Sequence, residues 1–121
     1  MSDDKLFDEM LKIIIKANSG DLIFANFVEF DSLYGHRRDL PGYARALENF
    51  DKKLPKLFSI LNKDDFLVIT ADHGNDPSFA GTDHTREQVP VLIKNQKLVN
   101  KCYGLINFSD IGLLIENFLR L

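Results

Sequence analysis

Along residues 4–17, Leu6, Phe7, Met10, Leu11, Ile14 and Ile15 recur at spacings of three and four. That period predicts an amphipathic helix that ends near Asn18-Ser19-Gly20. Residues 22–30, LIFANFVEF, are almost continuously apolar and follow a turn signal. Such a run predicts a buried strand of a parallel sheet, with Asp31 at its end. A second helix is expected from Pro41 to Leu61, because Pro41 suits a first turn and Tyr43, Leu47, Phe50, Leu54, Leu57 and Leu61 form a stripe. Pro55 falls inside that stripe, so a kink or break is expected there. FLVIT (66–70) and VPVLI (89–93) read as two further strands, with Pro90 placed where a missing donor is tolerated. Ser109 is the expected N-cap of a last helix with apolar positions Ile111, Leu114, Ile115, Phe118 and Leu119.

The order is α-β-α-β-loop-β-α, without repeats or an evident linker. Strands alternating with helices predict an α/β fold, a layered, mostly parallel sheet flanked by helices. Open sheets of this kind bind ligands beyond the carboxyl ends of their strands, where both Asp31 and Asp72 fall. A chain of 121 residues makes one domain. Its net charge of −3 carries no nucleic-acid or membrane-surface signal, and no apolar run reaches the roughly 20 residues of a membrane span. The acidic start, Met1-Ser2-Asp3-Asp4, lacks the positive charge of a signal peptide, and Cys102 is the only cysteine. A reducing cytoplasm fits, with Cys102 expected as a small core residue.

Candidate chemistry concentrates in ITADHGNDPSFAGTDHTREQVP, residues 69–90. Two of the three histidines stand there directly after aspartates, as Asp72-His73 and Asp83-His84, and His36 follows Asp31 by five residues. Carboxylate oxygen with imidazole nitrogen suits borderline divalent ions such as Mn²⁺, Zn²⁺ or Fe²⁺. Asp31, His36, Asp72, His73 and His84 exceed one site and fall short of two fully protein-ligated ones. A pair of ions clamping a phosphoryl group would use such a set. Gly74 and Gly81 mark tight turns or close approaches of backbone. Asp83 is read as an outer partner orienting His84. Arg37, Arg38 and Arg86 are candidates for phosphate oxygens, or equally for pairing with Asp39, Glu87 or other carboxylates. Thr70, Thr82 and Thr85 lack a neighbour that would activate a nucleophile. Each ligand also has a plain reading, an Asp as a turn or helix cap and a His as a surface residue.

The segments FDSLYGHRRD, TADHGND and GTDHTRE-VP, with the YARALENFD helix and FSDIG, closely resemble phosphopentomutases of the alkaline phosphatase superfamily. The resemblance implies interconversion of ribose or deoxyribose 1-phosphate and 5-phosphate with two Mn²⁺ ions, a phosphorylated threonine and a bisphosphate intermediate. It implies that Asp31, His36 and His84 hold one manganese, and that Asp72 and His73 supply part of the other site. Residues 1–121 match only the C-terminal part of that catalytic core. The cap domain and the segment with the nucleophilic threonine have no match, so no catalytic nucleophile is assigned. The chain alone is therefore expected to be inactive until the missing N-terminal part completes it for a pentose phosphate. Two other readings compete: a non-enzymatic metal-binding or interaction protein prone to self-association, and a minimal hydrolase using metal-activated water.

Overall fold

The computed structural model describes residues 2–98 and 101–120. Helix α1 spans Asp3–Lys16 and α2 spans Leu40–Ile60; a π-helical turn covers Phe30–Gly35. Strands β1 (Leu67–Thr70) and β2 (Val91–Lys94), a 3₁₀ turn at Gln96–Leu98 and helix α3 (Phe108–Leu119) complete the order. The chain divides into two compact units. One holds the residues up to Leu61 together with His73–Gln88; the other holds Asn62–Asp72 and the residues from Val89 onward.

In the first unit, Ser2 caps α1 by accepting the Lys5 N–H, and Asp3, Asp4 and Lys16 complement the helix dipole. Asp39 caps α2 by accepting the Gly42 N–H at 2.9 Å, and Pro41 sits in the first turn as expected. The helix runs through Pro55 without a break. The two helices bury Phe7, Leu11 and Leu57. Phe7 lies edge-on to Phe50 at 5.8 Å, and Phe27 and Phe30 close on the same Phe50 ring at 5.2 and 5.9 Å. Edge-to-face rings favour such separations. Because Phe7 is only 1% exposed, Phe7→Ala should cost about 3–5 kcal/mol of stability, measured by urea unfolding.

Residues 22–28 correct the expected strand. They pair with no strand among the described residues, and their exposure alternates residue by residue. Ile23, Ala25 and Phe27 face inward, whereas Leu22, Phe24 and Val28 are 65, 86 and 51% exposed. The period is that of an extended chain. The segment is anchored at its end by the Glu29 N–H, which donates to the Asp3 carboxylate at 3.0 Å. Burial pushes the Asp3 carboxyl up, and this hydrogen bond offsets part of the rise.

In the second unit, β1 and β2 pair antiparallel, with Val68 opposite Ile93 and Ile69 opposite Leu92. The expected mostly parallel sheet is therefore not what the described residues form; they give a mixed helix-and-strand fold with one two-stranded sheet. A parallel return needs a crossover, usually a helix, and no helix connects β1 to β2. Asn107, not Ser109, precedes α3, and its N–H donates to the Asp110 carboxylate at 2.8 Å. Phe118 of α3 stacks on Phe66 at 4.7 Å. Cys102 is exposed rather than a core residue, since it lies in the irregular segment before α3. No helix among the described residues is long and apolar enough to cross a membrane.

Candidate metal centre

The π-helical turn makes the first half of the site. The His36 N–H donates to the Asp31 carbonyl at 2.9 Å and the Asp39 N–H to the Tyr34 carbonyl at 3.0 Å, both five-residue returns. In an α-helix, residues five apart would diverge by about 140° at 100° per residue. The wider π winding brings Asp31 and His36 to one side, and such turns recur at functional sites. The His36 Nε2 consequently lies 3.1 Å from the Asp31 Oδ2.

The second half is the loop from His73 to Gln88, folded back on itself by the bridge between Gly74 and Thr85. Gly74 lets the backbones meet, because a Cβ there would stand 2.6 Å from the Glu87 carbonyl oxygen. The Thr85 hydroxyl accepts the Asp76 N–H at 2.6 Å and donates to the Glu87 carboxylate. This turn brings the His84 Nε2 to 3.2 Å from the His36 Nε2 and 3.6 Å from the Asp31 Oδ1. The His73 ring stacks on His84 at 3.7 Å.

Asp31, His36 and His84 thus offer three ligand atoms within 4.8 Å of one another. The His36 Nδ1 meets the Thr82 carbonyl, which can only accept, so Nδ1 carries a proton and, in the neutral ring, Nε2 is the nitrogen left with a lone pair. Two ligands about 2.1 Å from one ion stand roughly 3.0–3.5 Å apart, and the contacts of 3.1, 3.2 and 3.6 Å lie within or just beyond that range. The donors therefore fit a divalent cation in chemistry and spacing. Burial pushes the Asp31 carboxyl up, but the Asn75 amide and the His36, His84 and His73 rings outweigh it and leave the carboxyl below its ordinary 3.8.

That lowering fixes a sign. A carboxyl whose folded value lies below its unfolded one stabilises the fold fully above the unfolded value, and the contribution is lost as pH falls through the folded one. Asp31→Asn should accordingly flatten the acid side of the stability curve below about pH 4, as followed by circular dichroism in metal-free buffer.

The other expected site residues separate. Arg38 is half-buried and donates to the carbonyls of Gly35, Asp76, Gly81 and Asp83 and to the Asn75 side chain, so it binds protein rather than facing solvent. Arg37 and Arg86 are exposed. Of the alternative pairing partners, Asp39 caps α2 and Glu87 accepts from Thr85. Asp83 joins the network through its backbone carbonyl, and among the described residues no hydrogen bond links its carboxylate to His84. Asp72 is exposed just past β1, in the second unit. Asn75 is the residue that sequence reasoning missed: its amide donates to the Asp31 Oδ1 at 2.6 Å. Its place within TADHGND, between ligand candidates, was the available signal.

The chain is 54% identical over 119 residues to a phosphopentomutase of Pectobacterium atrosepticum, a match covering 98% of the chain and 29% of that relative. It is 54% identical over 109 residues to the phosphopentomutase of Sinorhizobium fredii, covering 89% and 27%. With the Shewanella woodyi phosphopentomutase it shares 52% identity over 119 residues, covering 98% and 29%. The chain thus spans less than a third of the length of these relatives. The model of the metalloenzyme superfamily matches residues 1–118, and by that match, nearly the whole of its length, the chain belongs to the metalloenzyme superfamily.

Proposed function

We propose that this chain is the C-terminal metal-binding part of a phosphopentomutase, an isomerase interconverting (deoxy)ribose 1-phosphate and (deoxy)ribose 5-phosphate in the cytoplasm. The observation that carries the reading is the convergence of the Asp31 carboxylate with the His36 and His84 imidazoles. In this account those three hold one Mn²⁺, and Asp72 and His73 contribute to a second. A bound pair of such ions supplies electrostatic clamping of the oxygens of a transferring phosphoryl group. The Thr82 carbonyl sets the His36 tautomer, and the Asn75 amide holds the Asp31 carboxylate in its ionised form. Arg37 and Arg86 present exposed guanidinium groups for phosphate oxygens, whereas Arg38 is committed to the loop.

Phosphoryl shuttling also needs a recipient nucleophile. The Thr85 hydroxyl is engaged by Asp76 and Glu87, and no other residue here is assigned that role. In this reading the nucleophile and the sugar-gathering cap lie in a part of the enzyme outside residues 1–121, and these residues alone are inactive. The exposed Leu22, Phe24 and Val28 favour a covering segment from that part, which would extend the fold into the larger parallel sheet of an alkaline-phosphatase-like core. The same exposed side chains would drive self-association in a free-standing, non-enzymatic descendant. Titration with Mn²⁺ tests the metal reading: saturable binding near one ion per chain supports it, and the absence of saturable binding overturns it.

A further inference from the structure

We propose that Asn75, held in place by Arg38, is a positioning residue that aims the Asp31 carboxylate at the metal. The Asn75 Nδ2 donates to the Asp31 Oδ1 at 2.6 Å, and its Oδ1 accepts from the Arg38 Nη1, also at 2.6 Å. An amide can donate to a carboxylate through its nitrogen and accept from a guanidinium through its oxygen at once. These two partners also settle which way the amide points. The Asp31 carboxylate would otherwise turn about a broad, two-fold torsion. With Oδ1 fixed by Asn75, Oδ2 is presented to the His36 Nε2 at 3.1 Å.

Arg38 supplies the rigidity. Its Nη1 also donates to the Asp76 carbonyl at 2.9 Å, its Nη2 to the Asp83 carbonyl at 2.6 Å and its Nε to the Gly81 carbonyl. One planar fork therefore clamps the loop that carries His84 onto the turn that carries Asp31 and His36. The Arg38 backbone is left-handed (φ 55°), a conformation uncommon outside glycine, and persists because this network holds it. The seat of the amide is also shaped from below. Gly35 is buried, and a Cβ there would stand 2.5 Å from the Asn75 Nδ2. Two residues thus guard one amide, Arg38 by attraction and Gly35 by leaving room.

The inference rests on the metal reading of Asp31, His36 and His84, so its test has one arm with metal and one without. Mn²⁺ affinity is measured on the whole 121-residue chain by the electron paramagnetic resonance signal of free Mn²⁺. Loss of an outer partner to a ligand weakens binding roughly 10–100-fold, and Asn75→Ala should fall in that range. Gly35→Ala should weaken binding in the same direction with Asn75 still present, by displacing its amide. In metal-free protein, Arg38→Ala should speed hydrogen–deuterium exchange across residues 76–84 while α1 keeps wild-type protection. Should Asn75→Ala lose its helical circular dichroism, Asn75→Ser carries the comparison on the same thresholds. A folded Asn75 variant that binds Mn²⁺ within twofold of wild type overturns the positioning role. Unchanged exchange in Arg38→Ala overturns the clamp. A wild-type chain that binds no Mn²⁺ would instead overturn the metal reading, and the exchange arm would still judge the clamp.

Discussion

His84→Ala is expected to abolish tight Mn²⁺ binding while leaving the helices of the first unit folded. The variant removes one of three converging donors, together with the ring that stacks on His73. A three-ligand site cut to two loses more than the roughly 10–100-fold cost of losing an outer partner, so the drop in affinity should exceed about 100-fold. Asp31→Asn should do the same by another route, since it deletes the negative charge that attracts the cation. The aromatic packing of Phe7, Phe27, Phe30 and Phe50 does not involve either residue, so helical circular dichroism should persist in both variants. Calorimetric titration of wild type and the two variants checks this. Retained wild-type affinity in either would remove that residue from the site.

The second large effect concerns turnover. Residues 1–121 alone should not convert ribose 1-phosphate to ribose 5-phosphate, because no nucleophile is assigned among them and metal alone does not receive a phosphoryl group. Mixing the chain with the part of a phosphopentomutase that it does not span should restore conversion. Given the 10⁶-fold and larger accelerations that enzymes supply, the gain should be at least roughly 1,000-fold over either part. The gain should require Mn²⁺ and vanish with His84→Ala. A coupled assay for ribose 5-phosphate reads it. Efficient turnover by the pure 121-residue chain would contradict the assignment and favour a nucleophile, or a metal-activated water, within it.

The site was more legible in the sequence than the sheet. Asp31, His36, Asp72, His73 and His84 could be picked out as residue types of matching chemistry, and the fold gathers three of them, Asp31, His36 and His84. The device that aligns Asp31 with His36 was not visible, because the apolar pattern of FVEFDSLYG does not distinguish a π-helical turn from the end of a strand. LIFANFVEF was misread for a related reason. Its composition reports surfaces that suit burial on both faces, but a strand also needs a neighbour with free backbone groups. None of the described residues supplies one. The antiparallel pairing of β1 and β2 was readable in principle, since residues 71–90 carry no helical period that could form a crossover. Asn107 outcompeted Ser109 as the α3 cap because Asp110 stands three residues later, where its carboxylate reaches back to the Asn107 N–H. The role of Arg38 was hidden, because a guanidinium that binds four carbonyls looks, in one dimension, like one that binds phosphate.

The central claim, that one carboxylate and two imidazoles of this chain bind a single metal ion, is most directly tested by pulsed electron paramagnetic resonance on the chain loaded with one equivalent of Mn²⁺. The account predicts nitrogen couplings from two histidine ligands, reduced to one in His36→Ala or His84→Ala. Bound Mn²⁺ without directly coordinated histidine nitrogen, or with couplings unchanged by both substitutions, would contradict it.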